Sequence, residues 1–501
     1  MEIVMKKCLI GIDIGTSGTK SVLFDTEGNV LASATCEYPM YQPQNGYAEQ
    51  DPKDWWNAVC QTLKQLTAKE DCDIVGVGLS GQMHSLVMLD KDNEVIRNAI
   101  LWCDQRTGKE CAEIEEKIGK ERLIEITANP ALTGFTASKI MWVKNNEPEN
   151  YNKCAHILLA KDYVRFKLTG EYATEVSDAS GMQLLDVKKR EWSVEVCEKL
   201  GIDMSLLGRV YESCEVTGRV TEEAAELTGL PKGIVVAGGA GDNASAAIGM
   251  GVCENGKAFT TIGTSGVVFA HTDSPEIDKK GRIHTFCAAV PNTWHVMGVT
   301  QAAGLSLSWF KKNFANDSSY REIDAKCEEI PIGAENLIYL PYLMGERTPI
   351  LDPDARGVFF GLSAMHGRYH LARAVIEGVS YSLYDCFSVI NEVGVDITDM
   401  AICGGGGKSS FWRQMIADIY GVPINTMESD EGAALGVAIL AGVAAGVYPS
   451  VPEGCKIAVK KKDVYLNDSE KREKYMKYYG IYSSLYPMVK PALKQLKELN
   501  A

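Results

Sequence analysis

The chain of 501 residues is long enough to bury more than one large core, and its 46% apolar and 23% charged residues are ordinary for a globular protein. The formal net charge of −15 argues against nucleic acid or an anionic membrane as partner, because either calls for a basic surface. The fifteen cysteines lie singly between Cys8 and Cys455 with no CxxC pair, and no apolar leader opens the chain, so reduced thiols and a cytoplasmic location are expected.

The first fifty residues read as strands and turns: "CLIGIDIG" is an apolar run punctuated by glycine, "TKSVLFD" leads to the turn "TEGN", and "VLASATCEY" follows. "PKDWWNAVCQTLKQLTAKE" has apolar residues at helical spacing behind a proline. "DIVGVGLS" then reads as a buried strand, "SLVMLDKDNEVI" as a hairpin and "AILWCD" as a further strand, before a mainly helical stretch over 105–230. The pattern restarts near 233. "GIVVAGGAGDNASAAIGMG" is strand, glycine turn, helix, and "GKAFTTIGTSGVVFAHTD" repeats the strand–turn–strand of the opening. "MAICGGGGKSSFWRQMIADIYG" is strand, glycine loop, helix; "GAALGVAILAGVAAGVYPS" reads as a closely packed helix and not a membrane span; the tail after 466 is a charged helical cap. Two α/β domains, 1–250 and 251–501, each opening on a hairpin, are the simplest account.

Those hairpins carry the chemistry. IGTSG occurs at 14–18 and again at 262–266. Such a turn offers backbone N–H groups and hydroxyls together, and its glycines let phosphate oxygens approach closely. Two copies on equivalent hairpins suggest a cleft in which both domains grip one polyphosphate. Asp13 precedes the first copy, on the strand face opposite Ile12 and Ile14. A carboxylate there is costly unless compensated, and Mg²⁺ bridging it to nucleotide phosphates would compensate it, as would a hydrogen bond to its own turn. Thr261 holds the matching place in the second copy, so only the first half offers a metal carboxylate.

"ICGGGGKSS" is not a P-loop, since Ile402 stands where that pattern needs glycine, but four glycines between strand and helix let a base or ribose lie on the backbone. Asp242, at the strand-to-helix turn "GGAGDNASAA", suits either a helix N-cap or a general base. His366 and His370 share an i,i+4 spacing without acidic or cysteine partners, so a surface role is expected of them and not metal binding.

Together these motifs resemble the FGGY carbohydrate kinases over nearly the whole chain. "GFTASKIMWVKNN" (134–146) and "GVFFGLSAMHGRYHLARAVIE" (357–377) look like the two family signatures. "GLSGQMHSLVMLD", "AILWCDQRT", "LLAKDYVRFKLTGEYATEVSDASG" and "YLPYLMGERTP" look most like the xylulokinase branch. The resemblance implies an α/β fold of two actin-like ATPase (ribonuclease H-like) domains around a cleft for ATP and sugar. It implies transfer of phosphate from ATP, with Mg²⁺, to D-xylulose, and a possible homodimer.

Carried over by position, Asp242 is the catalytic aspartate and Asn243 a neighbouring substrate contact, while Met83, His84 and Trp102 line the sugar pocket. Asp13 holds the metal, with Gly15, Thr16 and Ser17 as the first phosphate loop and Gly263, Thr264 and Ser265 as the second. Gly304 touches the nucleotide, and Gly405, Gly406 and Lys408 lie on the adenine side. Two departures stand out: Cys103 where many xylulokinases have asparagine, and GGAGD where GGGD is commoner. A sister kinase acting on ribulose, L-xylulose, gluconate or glycerol shares every phosphate motif. An actin- or chaperone-like ATPase switch is the reading from another class.

Overall fold

The computed structural model describes residues 6–68 and 72–499. Three strands open it as an antiparallel meander: β1 (Lys6–Ile14), β2 (Gly18–Asp25) and β3 (Val30–Glu37). Helix α1 (Pro52–Thr67) begins on Asp51, whose carboxylate accepts the Lys53 amide, with proline in the first turn, where a missing N–H costs nothing. Its face of Trp55, Val59, Leu63 and Leu66 is buried in the first core. Next, β4 (Cys72–Gly81) runs parallel to β1, buried along most of its length.

The helical stretch expected beyond 105 is present and includes α2 (Thr136–Asn146) and α3 (Ala160–Thr169), with short strands among the helices. β5 (Val216–Arg219), β6 (Val235–Ala237) and β7 (Ala240–Gly241) complete the first sheet. Its order is β5-β6-β4-β1-β2-β3, with β7 paired to β4. Two local expectations change. Val87–Leu89 pairs with His156–Leu158 and touches Val95 only through a bridge at Leu89, so the hairpin is minimal. Of "AILWCD" only Ala99–Ile100 is strand, and Trp102 lies in the turn beyond it.

After α4 (Asp242–Gly249) the second sheet is built from β8 (Lys257–Ile262), β9 (Gly266–Thr272), β10 (His284–Cys287) and β11 (Trp294–Thr300). The chain continues through α5 (Arg368–Glu392), β12 (Asp399–Cys403), α6 (Ser410–Tyr420), β13 (Ile424–Met427), α7 (Gly432–Ala444), β14 (Lys461–Tyr465) and α8 (Ser469–Glu498). The order β10-β11-β9-β8-β12-β13-β14 repeats the first sheet's plan, a hairpin followed by parallel partners. Among the described residues no helix is long and apolar enough to cross a membrane.

The two halves meet along α4 and α7. Although α7 lies in sequence between β13 and β14 of the second sheet, it packs on β1 and β4 of the first and against α4. The approach is backbone to backbone: a Cβ on Gly11 would stand 1.9 Å from the Ala434 carbonyl oxygen, and one on Gly78 would stand 1.9 Å from that of Val437. The Gly/Ala composition of α7 thus serves close packing inside the protein. A second seam joins β10 and β11 to the first half, where Asn129 Nδ2 donates to the Thr285 carbonyl (3.0 Å) and Trp294 Nε1 to that of Val187 (2.7 Å).

Candidate active site

Both IGTSG copies form hairpin turns, the second one residue tighter: Ile14 pairs with Thr19 across the first and Ile262 with Gly266 across the second. Gly15–Ser17 joins β1 to β2 and Gly263–Ser265 joins β8 to β9, each closed by an amide bond within the turn, Gly15 N to Gly18 O and Gly263 N to Ser265 O, both 3.0 Å. The first loop is fastened from outside. Tyr38 OH donates to the Gly15 carbonyl (2.6 Å), Gln50 Nε2 to that of Thr16 (2.7 Å), and Gln82, beside Met83, binds Gln50 (2.9 Å). Trp102 Nε1 donates to Thr16 Oγ1 (3.0 Å), linking an exposed indole ring to the first loop. Ser17, Thr264 and Ser265 are exposed at the tips.

Strand register places the two aspartates together. Asp13 of β1 pairs with Ser80 of β4, and Ser80 and Gly81 pair with Ala240 and Gly241 of β7. Asp13 and the residue after β7 therefore sit at the same end of three adjacent strands. Ile12 and Ile14 are fully buried on the other face, as alternation requires. Ser80 Oγ donates to Asp13 Oδ1 (2.9 Å), yet desolvation raises the Asp13 pKa against that bond and the charge of Lys20. Lys20 is its cross-strand partner and pairs at 2.6 Å with Glu431 at the start of α7.

Gly241 holds the N-cap position of α4, so Asp242 stands one residue inside the helix and does not cap it. Its Oδ1 accepts the Asn243 amide (2.7 Å) and Asn243 Nδ2 (3.0 Å). Burial, with the Asp13 charge added, raises the Asp242 pKa to about 6 against those bonds. The last two residues of the GGAG run, Ala240 and Gly241, form β7 and pair with Ser80 and Gly81 of β4. Met83 lies beneath this turn: a Cβ on Gly241 would stand 2.8 Å from Met83 Cγ.

His84 has a positive φ of 68°, strained for a non-glycine residue. Its carbonyl accepts Lys139 Nζ (2.8 Å) and Thr136 Oγ1 (3.1 Å), both from α2, which hold that backbone. Its Nδ1 lies 2.8 Å from the Gly181 carbonyl. Burial and then the Lys139 charge push its pKa down to about 3. The neutral ring donates from Nδ1, which leaves the Nε2 lone pair to accept a hydroxyl proton. Lys139, fully buried with its pKa lowered by burial to about 7, is a support the residue-by-residue reading missed; its signal was the first signature, "GFTASK". Gly181 packs against the same ring, where a Cβ would stand 2.5 Å from His84 Nδ1. Gly181→Ala should therefore raise the sugar KM at least tenfold with the ATP KM unchanged, and steady-state kinetics with each substrate varied in turn checks it.

On the other wall, the Gly304 amide donates to the Gly263 carbonyl (2.7 Å), so the helix Gly304–Phe314 starts on the second loop. Gly406 packs on Ile262, just before that loop, while Gly405 and Lys408 are exposed beside it. His366 precedes α5, and its ring centroid lies 5.6 Å from that of His370. Each ring accepts a backbone amide at Nδ1, from Ser363 (2.9 Å) and from Gly367 (3.1 Å). Among the described residues no group of three or more His, Cys, Asp or Glu side chains could hold a metal by itself.

Each half thus carries a glycine-hydroxyl hairpin loop, and the first sheet adds the desolvated Asp13 and Asp242 carboxylates at one end of its strands. The family models for the N-terminal and C-terminal domains of FGGY carbohydrate kinases match residues 8–249 and 258–445. The chain belongs to the FGGY family of carbohydrate kinases. It is 40% identical to the xylulose kinase of Bacillus subtilis over 497 residues, 99% of each chain. A crystal structure of a "xyloylose kinase" from Brucella ovis superposes with a TM-score of 0.91 at 36% identity, covering 97% of this chain and all of that one. A gluconate kinase structure from Lactobacillus acidophilus gives a TM-score of 0.93 at 30% identity, covering 98% of this chain and all of that one. This carbohydrate kinase thus shares its backbone with structures named for different acceptors.

Proposed function

We propose that the kinase transfers the γ-phosphoryl group of ATP to D-xylulose, giving D-xylulose 5-phosphate, with Asp242 as the general base. The observation that carries this reading is the place of Asp242: a desolvated carboxylate at the strand ends beside Asp13, with Met83 beneath its turn. The hydroxyl oxygen forms its bond to the γ-phosphorus as the bond to the β–γ bridging oxygen breaks. ADP leaves with that electron pair, and the hydroxyl proton passes to Asp242. His84 Nε2 accepts from another sugar hydroxyl, and Trp102 covers the sugar edge. Loop amides and the hydroxyls of Ser17, Thr264 and Ser265 bind the phosphates; the Thr16 hydroxyl is already engaged by Trp102. Gly304, Gly405, Gly406 and Lys408 border the nucleotide.

A Mg²⁺ fits this site as a metal held through one protein carboxylate, water and substrate phosphates. Asp13 is desolvated, with a single hydroxyl donor, and no all-protein cage competes among the described residues. Bound there, the ion would offset charge on the phosphates.

D-Xylulose rests on the 38–40% identity to curated xylulose kinases from end to end and on the Met83–His84 pair. Gluconate is the second reading, favoured by Arg347. Its guanidinium makes no hydrogen bond or ion pair among the described residues, and its charge is felt by both His84 and His284. An aldonate carboxylate would pair with it. ADP release with Mg·ATP and a panel of D-xylulose, L-xylulose, D-ribulose, L-ribulose, glycerol, gluconate and no sugar separates these readings. A dominant gluconate rate overturns the first, and turnover indifferent to every sugar overturns both.

The base must be ionised to work. A carboxylate raised to about 6 in the free enzyme is protonated as pH falls through that value, so kcat/KM for the sugar should be full above pH 7 and drop tenfold per unit well below 6. A kcat/KM–pH profile whose acid limb lay near 4, the ordinary carboxylate range, would contradict the assignment.

A further inference from the structure

The turn that presents Asp242 rests on a buried ionic network. Lys161, at the start of α3, reaches Asp162 (2.9 Å), Asp178 (3.2 Å) and Glu175 (3.3 Å), and Arg165 reaches Asp162 (2.7 Å). All five side chains are buried to within about 1%. Glu175 accepts the Ser177 amide (2.8 Å), Ser177 Oγ (2.9 Å), the Asp178 amide (2.9 Å) and Ser213 Oγ (2.7 Å). With its hydroxyl proton given to Glu175, Ser177 Oγ turns its lone pair to the Gly241 amide at 3.1 Å.

Two other residues of that turn, Gly238 and Gly239, are fastened by the same region. Arg165 donates to the Gly238 carbonyl, and the Gly239 amide donates to the Ser213 carbonyl (2.9 Å). Helix α4 has no side-chain cap of its own; Ser245 Oγ, inside the helix, donates to the Gly241 carbonyl (2.9 Å), and among the described residues Ser177 supplies the one side-chain bond from outside α4 to the residue directly before Asp242.

We propose that Ser177, oriented by Glu175 and Lys161, is a positioning residue that sets the height and direction of the Asp242 carboxylate. The inference rests on Asp242 being the base. Burying two cations and three carboxylates is costly and is not required to fill this volume, since apolar side chains pack as well. What the network provides is a fixed direction for a turn of three glycines and an alanine, whose side chains cannot fix it. A general base works only within hydrogen-bond reach of its proton, about 2.6–3.2 Å, and a displacement near 1 Å costs about 100-fold. Met83 packs on the far side of Gly241, so the turn is held between an apolar contact and the Ser177 hydroxyl.

The test is a double-mutant cycle on the full chain with Mg·ATP and D-xylulose. Ser177→Ala should lower kcat about 10- to 100-fold, leave both KM values within about threefold, and keep the thermal midpoint near that of the parent. Ser177→Thr, which keeps the hydroxyl, should recover most of the loss. In an Asp242→Asn background, Ser177→Ala should have no further effect on residual turnover, because it acts only through the carboxylate. A purely structural serine would lower both backgrounds equally, and that result, or wild-type kcat for Ser177→Ala, overturns the proposal. Should Ser177→Ala not fold, Ser177→Cys carries the same expectations. If Asp242→Asn alone kept wild-type turnover, the base reading would fail instead, whatever Ser177 does.

Discussion

Asp242→Asn is expected to lower kcat by about 10³-fold or more while leaving D-xylulose binding within a few-fold of the parent. Asparagine keeps the size and the polar edge that face Asn243, so the turn and the pocket beside it should survive. What it loses is the capacity to take a proton. A sugar hydroxyl is a poor nucleophile while protonated, and no other described carboxylate shares the end of β7 except Asp13, which lies two strands away and is assigned to the metal. Sugar binding followed by isothermal titration calorimetry and ADP release measured in parallel give the two quantities separately. Parent turnover with intact binding would remove Asp242 from the chemistry.

The second large effect concerns the seam between the halves. Gly436→Ala should destabilise the protein by about 3 kcal/mol or more, the upper end for overpacking a core. A Cβ at 436 would lie 1.9 Å from the Ser245 carbonyl oxygen of α4, and a backbone atom cannot rotate aside as a side chain can. Helix α7 would have to lift from α4, and α4 carries Asp242, so kcat of any folded fraction should fall as well. Thermal unfolding of Gly436→Ala beside Gly446→Ala, whose added Cβ meets nothing within 4 Å but stands at a φ of +71°, separates contact from backbone strain. Equal midpoints for the two would show that the crossing is looser than its geometry.

Much of this protein is written in short stretches of its sequence. The repeated IGTSG, the switch from period-two to helical patterning and the restart near 233 foretell two sheets of one plan. Asp13 is marked by its place in an apolar strand, and the glycine before each loop by the turn that follows. The GQMH segment and the signatures point to a sugar pocket through likeness alone, since neither periodicity nor spacing separates His84 from a core histidine.

Other features have no local signature. Trp102 reads as strand, yet its neighbours pair for only two residues, and its ring is free to reach Thr16, 86 positions earlier. Lys161, Glu175 and Ser177 look like ordinary helix and turn residues; only the fold brings them under Gly241. Helix α7 reads as an apolar helix, but that it lies on the first sheet depends on Gly11 and Gly78, more than 350 residues before it. Local sequence determines what each segment is, because propensity, alternation and turn chemistry act over a few residues. Which buried charge meets which amide, and which helix crosses which strand, is decided by contacts distant along the chain, where shape and desolvation must be satisfied together.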